Sequence, residues 1–132
     1  MNILITLPKH LIEKILSGEK KFEMRKCLPK NMKLGEDGFF VVEKGTNEVR
    51  CWCRVDKIET IPYSNYAIAE YYAEDLCVSS QFILDYAPLE TKFHLWKIGK
   101  VKVLQDLCRD SLFVDKNPQQ FAYCPLSYGE SY

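Results

Sequence analysis

At 132 residues with 47% apolar side chains, the chain has the size of one domain, residues 1–132, and enough hydrophobic surface for a single core. Eighteen Lys and Arg against eighteen Asp and Glu give a formal net charge of zero, which argues against an extended duplex binder, since such proteins carry a basic surplus. No stretch approaches the ~20 apolar residues that span a bilayer, and MNILITLPKH lacks the pattern of a secretion signal, so a soluble, cytoplasmic protein without membrane contact is expected.

Met1 to Leu7 is an apolar, strand-like run ending at Pro8, which suits the first turn of a helix because its missing N–H would have no helical partner there. The helix covers Lys9 to Ser17, with Leu11, Ile12, Ile15 and Leu16 on one stripe, and Gly18 is its stop. From Lys21 to Cys27 the pattern alternates: Phe22 and Met24 face the core, while Lys21, Glu23 and Arg25 share the non-core face. By that parity Lys20 would fall on the Phe22 face, so it is expected in the turn after Gly18. FFVVEK (Phe39 to Lys44) and VRCWCRVDKIETI (Val49 to Ile61) read as strands joined by a turn at GTNE. Ser64 to Tyr86 reads as one or two helices broken near VSS, with Ser64 as N-cap. KFHLWKIGKVKVLQDL (Lys92 to Leu107) returns to strand character, with a bulge or bend at Gly99, and a short strand is expected within NPQQFAYC. Strands and helices in this order, without repeating βαβ alternation, give an α+β class, and bent strands in a small chain favour a small β-barrel flanked by helices.

Charge is distributed unevenly. Up to Lys33 there are eight Lys and Arg against three Glu, whereas Ser64 to Glu90 holds five acids and no cation. One end of the protein is therefore built to attract anions. The six cysteines read as reduced thiols, and the C-x-C of Cys51 and Cys53 is spaced too tightly for a usual zinc pair. His10 and His94 have no ligand partners near them in sequence and read as structural, as do the strand-centred Trp52 and Trp96. No metal site is expected and no motif calls for a cofactor.

Gly18-x-Lys20-x-x-Glu23-x-Arg25 resembles the G-x-K-x-x-E-x-R motif of ASCH domains, whose fold is similar to that of PUA RNA-binding domains. The preceding helix, the following hairpin and NPQQFAY, similar to a terminal P-P-Q-S-F strand, extend the resemblance over nearly the whole chain. Asn117 stands where that tail motif has its first proline, and Gln120 where it has serine. The resemblance implies a PUA-like barrel with a charged cleft lined by the motif and holding RNA or a nucleotide-like ligand.

In such a cleft Arg25 offers a planar fork for a phosphate or a base edge, and Lys20 and Lys21 offer point charges. Glu23, a carboxylate two residues before Arg25, would orient that fork, accept an N–H from a base, or act as a general base. Of the aromatic residues Tyr63, Tyr66, Tyr71, Tyr72, Phe121 and Tyr123, most belong to the core, and Tyr123 and Tyr63 are the stacking candidates.

Three functions follow. The first is a binding module that holds a short single-stranded RNA or a modified nucleoside through Lys20, Lys21, Glu23, Arg25 and Tyr123. The second is a hydrolase acting on RNA or an acylated nucleoside, with Glu23 and Lys20 as catalytic residues. Some ASCH-like proteins remove an acyl group from a modified cytidine with a lysine, a threonine nucleophile and a distant glutamate. Lys20 matches the lysine, Glu23 occupies the threonine position, and Glu70 and Glu74 are candidates for the distant acid. The third is a regulatory domain that engages a protein partner through the acidic, Tyr-rich segment 64–90. The sequence leaves the oligomeric state open.

Overall fold

The computed structural model describes residues 1–61, 65–86 and 92–125, with the side chains of 65–67 and 69 excluded. Ser64, Tyr63 and Glu90 thus lie outside the described residues, as does the side chain of Tyr66. The elements run β1 (Asn2–Leu7), α1 (Lys9–Leu16), β2 (Phe22–Arg25), β3 (Gly38–Glu43), β4 (Val49–Ile61), α2 (Asn65–Leu76), α3 (Ser80–Tyr86), β5 (Phe93–Val103), a 3-10 turn (Arg109–Leu112) and β6 (Ala122–Cys124). None of the described helices is long and apolar enough to cross a membrane.

Six strands form one mixed sheet in the order β2-β5-β4-β3-β1-β6, with β1 parallel to β3 and every other pair antiparallel. The expected barrel is not formed: the sheet is open. Closing a barrel needs its outermost strands to hydrogen-bond to each other. The outermost strands here, β2 and β6, have four and three residues and pair only with β5 and β1 respectively.

Strand alternation fills both faces of the sheet. On one face Ile3, Ile5, Phe39, Val41, Cys51, Cys53 and Trp96 pack against Leu11, Ile12 and Ile15 of α1. Leu16, expected in that stripe, is exposed. The opposite face carries two clusters. One joins Leu4, Phe40, Val42 and Trp52 to Leu107, Leu112 and Val114, and the other joins Met24, Phe93 and Leu95 to Ile68, Leu76 and Ile83 of α2 and α3. The helical segment breaks at Cys77-Val78-Ser79, as VSS implied. The pairing of β4 with β5 slips between Cys53 and Lys57, opposite Gly99, where a bulge was expected.

Burial separates the cysteines. Cys51, Cys53 and Cys124 are buried, whereas Cys27 and Cys108 are exposed. Burial pushes the Cys124 thiol up to about 12, and a hydrogen bond with Cys51, together with burial, raises Cys53 well above the ordinary thiol range. Iodoacetamide at pH 8 will therefore label Cys27 and Cys108 within minutes and leave Cys51, Cys53 and Cys124 untouched until denaturant is added, as peptide mass mapping will show.

His94 lies opposite Thr60 of β4, its Nδ1 2.9 Å from Thr60 Oγ1. Burial, with Lys92 adding to it, holds the imidazole below its ordinary value. The unfolded chain then takes up the proton more readily than the folded one. The stability this confers is present above the unfolded value near 6.5 and is lost as pH falls through the folded value. Urea melts of His94→Gln will show a shallower loss of stability between pH 7 and 5 than the unaltered chain.

Candidate functional site

Two helix ends and one strand edge assemble the site. After α1, Gly18 takes φ +83° and donates its N–H to Ile15 O at 3.0 Å, and the Lys20 N–H then reaches back to Lys14 O at 3.0 Å. This reversal requires a left-handed residue, which glycine supplies without a Cβ penalty. It turns Lys20 inward: the residue precedes β2, as its parity required, but is only 3% exposed.

α2 ends in a Schellman arrangement. Cys77, at φ +58°, donates to Glu74 O at 3.1 Å, and Val78 donates to Ala73 O at 3.3 Å. The neighbouring carbonyl of Leu76 accepts from Lys20 Nζ at 2.8 Å. A cation from another element thus neutralises the negative end of a helix that has no basic residue of its own in the last turn.

On β2, Glu23 Oε1 accepts the Met24 N–H at 3.0 Å and lies 4.0 Å from Lys20 Nζ, while Oε2 lies 3.7 Å from Arg25 Nη2. Arg25 Nη1 donates to Gln119 O at 3.1 Å and Gln120 O at 2.9 Å, and Nη2 donates to Thr6 O at 3.4 Å. Glu23 and Arg25 do occupy the face opposite Met24. That face is covered rather than solvated, leaving Glu23 5% and Arg25 6% exposed, because the 119–120 segment packs over it.

These groups line a cleft of about 580 Å³ at the free edge of β2. Met24, Leu76, Val78, Phe82 and Tyr86 supply apolar and aromatic surface, and Thr6, Gln119 and Gln120 form the facing side. Three buried polar atoms among its lining residues have no hydrogen-bond partner: Glu23 Oε2, Arg25 Nε and Gln120 Oε1. Each orphaned group of this kind costs about 1–3 kcal/mol. All three are buried atoms of residues that line the cleft, beneath its surface rather than open to it.

No protein-family model and no curated protein matches the sequence. The backbone, however, superposes on the crystal structure of ASCH from Zymomonas mobilis with a TM-score of 0.74, covering 92% of this chain and 86% of that one at 17% identity. Two single-residue variants of the same protein give TM-scores of 0.77 and 0.74, again at 17% identity, over 92% of this chain and 87% and 88% of theirs. The chain has the ASCH fold.

Within this ASCH fold, Lys20, Glu23 and Arg25 of the sequence motif converge, and Gly18 acts through the backbone. Lys21 is exposed, bound through its N–H to Asp75 O, and does not line the cleft. Tyr123 is 42% exposed on β6, where its hydroxyl accepts the Lys30 N–H, and it too lies outside the cleft. Glu70 and Glu74 are exposed on α2 and do not line it. Sequence reasoning missed Gln119, Gln120, Phe82, Tyr86 and the cleft-lining His10. The NPQQF resemblance was the signal available for the two glutamines, and nothing local singled out the others.

The bonding scheme sets two expectations for stability. Arg25→Leu removes the donor to three carbonyls and leaves the buried Glu23 with Lys20 alone as counter-ion, so it costs about 3 kcal/mol in urea denaturation, and Arg25→Lys restores less than half of that. Gly18→Ala, which forces a Cβ into a left-handed conformation, costs about 1 kcal/mol, or about 4 °C by differential scanning calorimetry.

Proposed function

We propose that this chain binds RNA or a nucleotide-like ligand and takes one nucleoside, free or within a short single strand, into the cleft beside β2. The observation that supports this is a cleft whose lining joins the charged groups of Lys20, Glu23 and Arg25 to aromatic and apolar side chains. A lining that mixes cations, a carboxylate and flat apolar surface suits a base, which presents donors and acceptors together on a flat ring, better than a bare phosphate, which offers acceptors only. The cleft volume lies within the ~300–1,000 Å³ range of small-ligand sites. Phe82 and Tyr86 line the cleft with their rings stacked on each other at 5.9 Å, and Lys26 Nζ covers the Tyr86 ring at 4.8 Å, so the half-exposed Phe82 is the ring left to meet a base. The zero net charge fits a short, local ligand better than a long nucleic acid.

A second reading, hydrolysis of an acylated nucleoside, is favoured by one feature of Glu23. Its Oε2 has no hydrogen-bond partner, and its Oε1 lies 4.0 Å from Lys20 Nζ. A carboxylate so placed can take a proton from water as the water attacks the acyl carbon, with the lysine stabilising the oxyanion, and return it to the nucleoside's amino nitrogen as the acyl C–N bond breaks, releasing free nucleoside and a carboxylic acid.

Both readings are tested with Glu23→Gln. Calorimetry with nucleosides, and anisotropy of a short labelled single-stranded RNA at two salt concentrations, will show binding to the unaltered chain that weakens at least tenfold in the variant. Absence of binding to either ligand class refutes the cleft reading. Chromatography of N-acylated nucleosides incubated with the protein decides the second: release of free nucleoside that disappears in Glu23→Gln supports hydrolysis, and intact substrate despite binding removes it.

A further inference from the structure

We infer that the sheet face turned away from α1 carries a second contact for RNA. It is a lysine row on β5, formed by Lys97, Lys100 and Lys102, that grips the phosphates of a single strand whose nucleoside enters the cleft. The inference rests on the nucleoside reading above and adds where the rest of the strand runs.

β5 bears three lysines and no acid, and all three are exposed while the residues between them are half-buried. By strict alternation Lys97 and Lys100, three positions apart, would point to opposite faces. The slip at Gly99 cancels this, because β5 advances three residues from Ile98 to Val101 while β4 advances two, from Val55 to Cys53. Ile98 and Val101 accordingly both pack on the α1 side. Lys97 shares the other face with Phe93 and Leu95, and Lys102 shares it with its cross-strand partner Trp52. Lys100 joins them by alternation with Lys102, so three ammonium groups line one side of the strand over about 15 Å.

The row is electrostatically unspent. Neither Lys97, Lys100 nor Lys102 has a side-chain hydrogen bond or ion pair with a described residue. The two acids of β4 beside the row are already engaged: Asp56, whose carboxylate lies over Gly99, binds Arg54 at 2.6 Å, and Glu59 lies 3.2 Å from Lys57 Nζ and accepts from the Tyr72 hydroxyl at 3.2 Å.

Lysines also guard open sheet edges against pairing with other chains. That role suits Lys100 and Lys102, since from Gly99 onward β5 has no strand on its β2 side among the described residues. It does not suit Lys97, which Phe22 of β2 flanks on one side and Lys57 of β4 on the other. Like charges directly opposite each other destabilise a sheet, and a polyanion laid along them removes that penalty. Phosphates fit better than an acidic protein, because the apolar residue that β5 exposes is Val103, too little for the dry centre of a protein interface. The row also lies next to the cleft. β2 is the one strand between the cleft and β5, and the Ile98 N–H binds the carbonyl of the exposed Lys21 at 2.9 Å.

The test is a set of anisotropy titrations of the full chain with labelled single-stranded RNAs of about four and about twelve nucleotides, over a series of salt concentrations. The expected result is about tenfold tighter binding of the longer RNA, with a steeper salt dependence. Replacing Lys97, Lys100 and Lys102 together by Gln lowers that slope by about two units, at about 0.7 for each lost phosphate contact, and removes most of the advantage of length. Calorimetric affinity for a nucleoside stays unchanged in this variant. The comparison of lengths on the unaltered chain needs no variant at all. Equal affinity for the two lengths, or an unchanged slope in the variant, overturns the lysine row and leaves the nucleoside cleft in place. Polyglutamate that displaces the longer RNA at equal charge concentration overturns the assignment to RNA in favour of an acidic protein. Absence of binding to nucleosides and to both RNAs overturns the row and the cleft together.

Discussion

The architecture depends on one guanidinium. The outermost strands β2 and β6 are too short and too far apart in the sheet order to pair, so the two ends of the sheet are held by the side chain of Arg25. It binds carbonyls on β1 and on the 119–120 segment, which a flexible ammonium with a single charged point could not span in the same geometry. The gap that it bridges is the cleft. Because Arg25 is engaged in joining the walls, both of its terminal nitrogens are committed to backbone carbonyls.

Lys20, Glu23 and Arg25 together place two positive charges and one negative charge in a nearly dry region of a chain whose overall charge is zero. Removing three charged groups from water is expensive, and the compensation here comes mainly from backbone carbonyls at a helix end and in the tail rather than from close ion pairing. A packed apolar cluster at the same place would stabilise the fold at lower electrostatic cost. What the arrangement does provide is a fixed geometry, since each cation is held by bonds to the backbone of another element.

Local signals carried much of this fold. Alternation in FEMR, the stripe Leu11, Ile12 and Ile15, the stop at Gly18 and the break at VSS each depend on residues a few positions apart, and the structure has each of them. What could not be read was whatever depends on distant partners. The alternation of β2 distinguished its two faces but could not say that residues 119–120 would cover the charged one. Barrel closure failed for the same reason, since it turns on whether two short strands from opposite ends of the chain meet. Phe82 and Tyr86 reach the cleft because α3 folds back along β2 and β5. In sequence they are simply apolar positions of a short helix.

The cleft also has a place in time. Arg25 and the two tail carbonyls it grips are 94 and 95 residues apart, and β1 finds its neighbour β6 only across a still longer separation. At the ~5–20 residues per second of ribosomal synthesis, roughly ten seconds pass between the emergence of one wall and that of the other. During that interval α1, β2 and the β3–β4 hairpin can form, yet the motif residues still face water and have no enclosed pocket to line. A nascent chain stalled before residue 119 would therefore carry the complete sequence motif without the enclosed cleft, which is finished only when the segment from Gln119 to Cys124 docks.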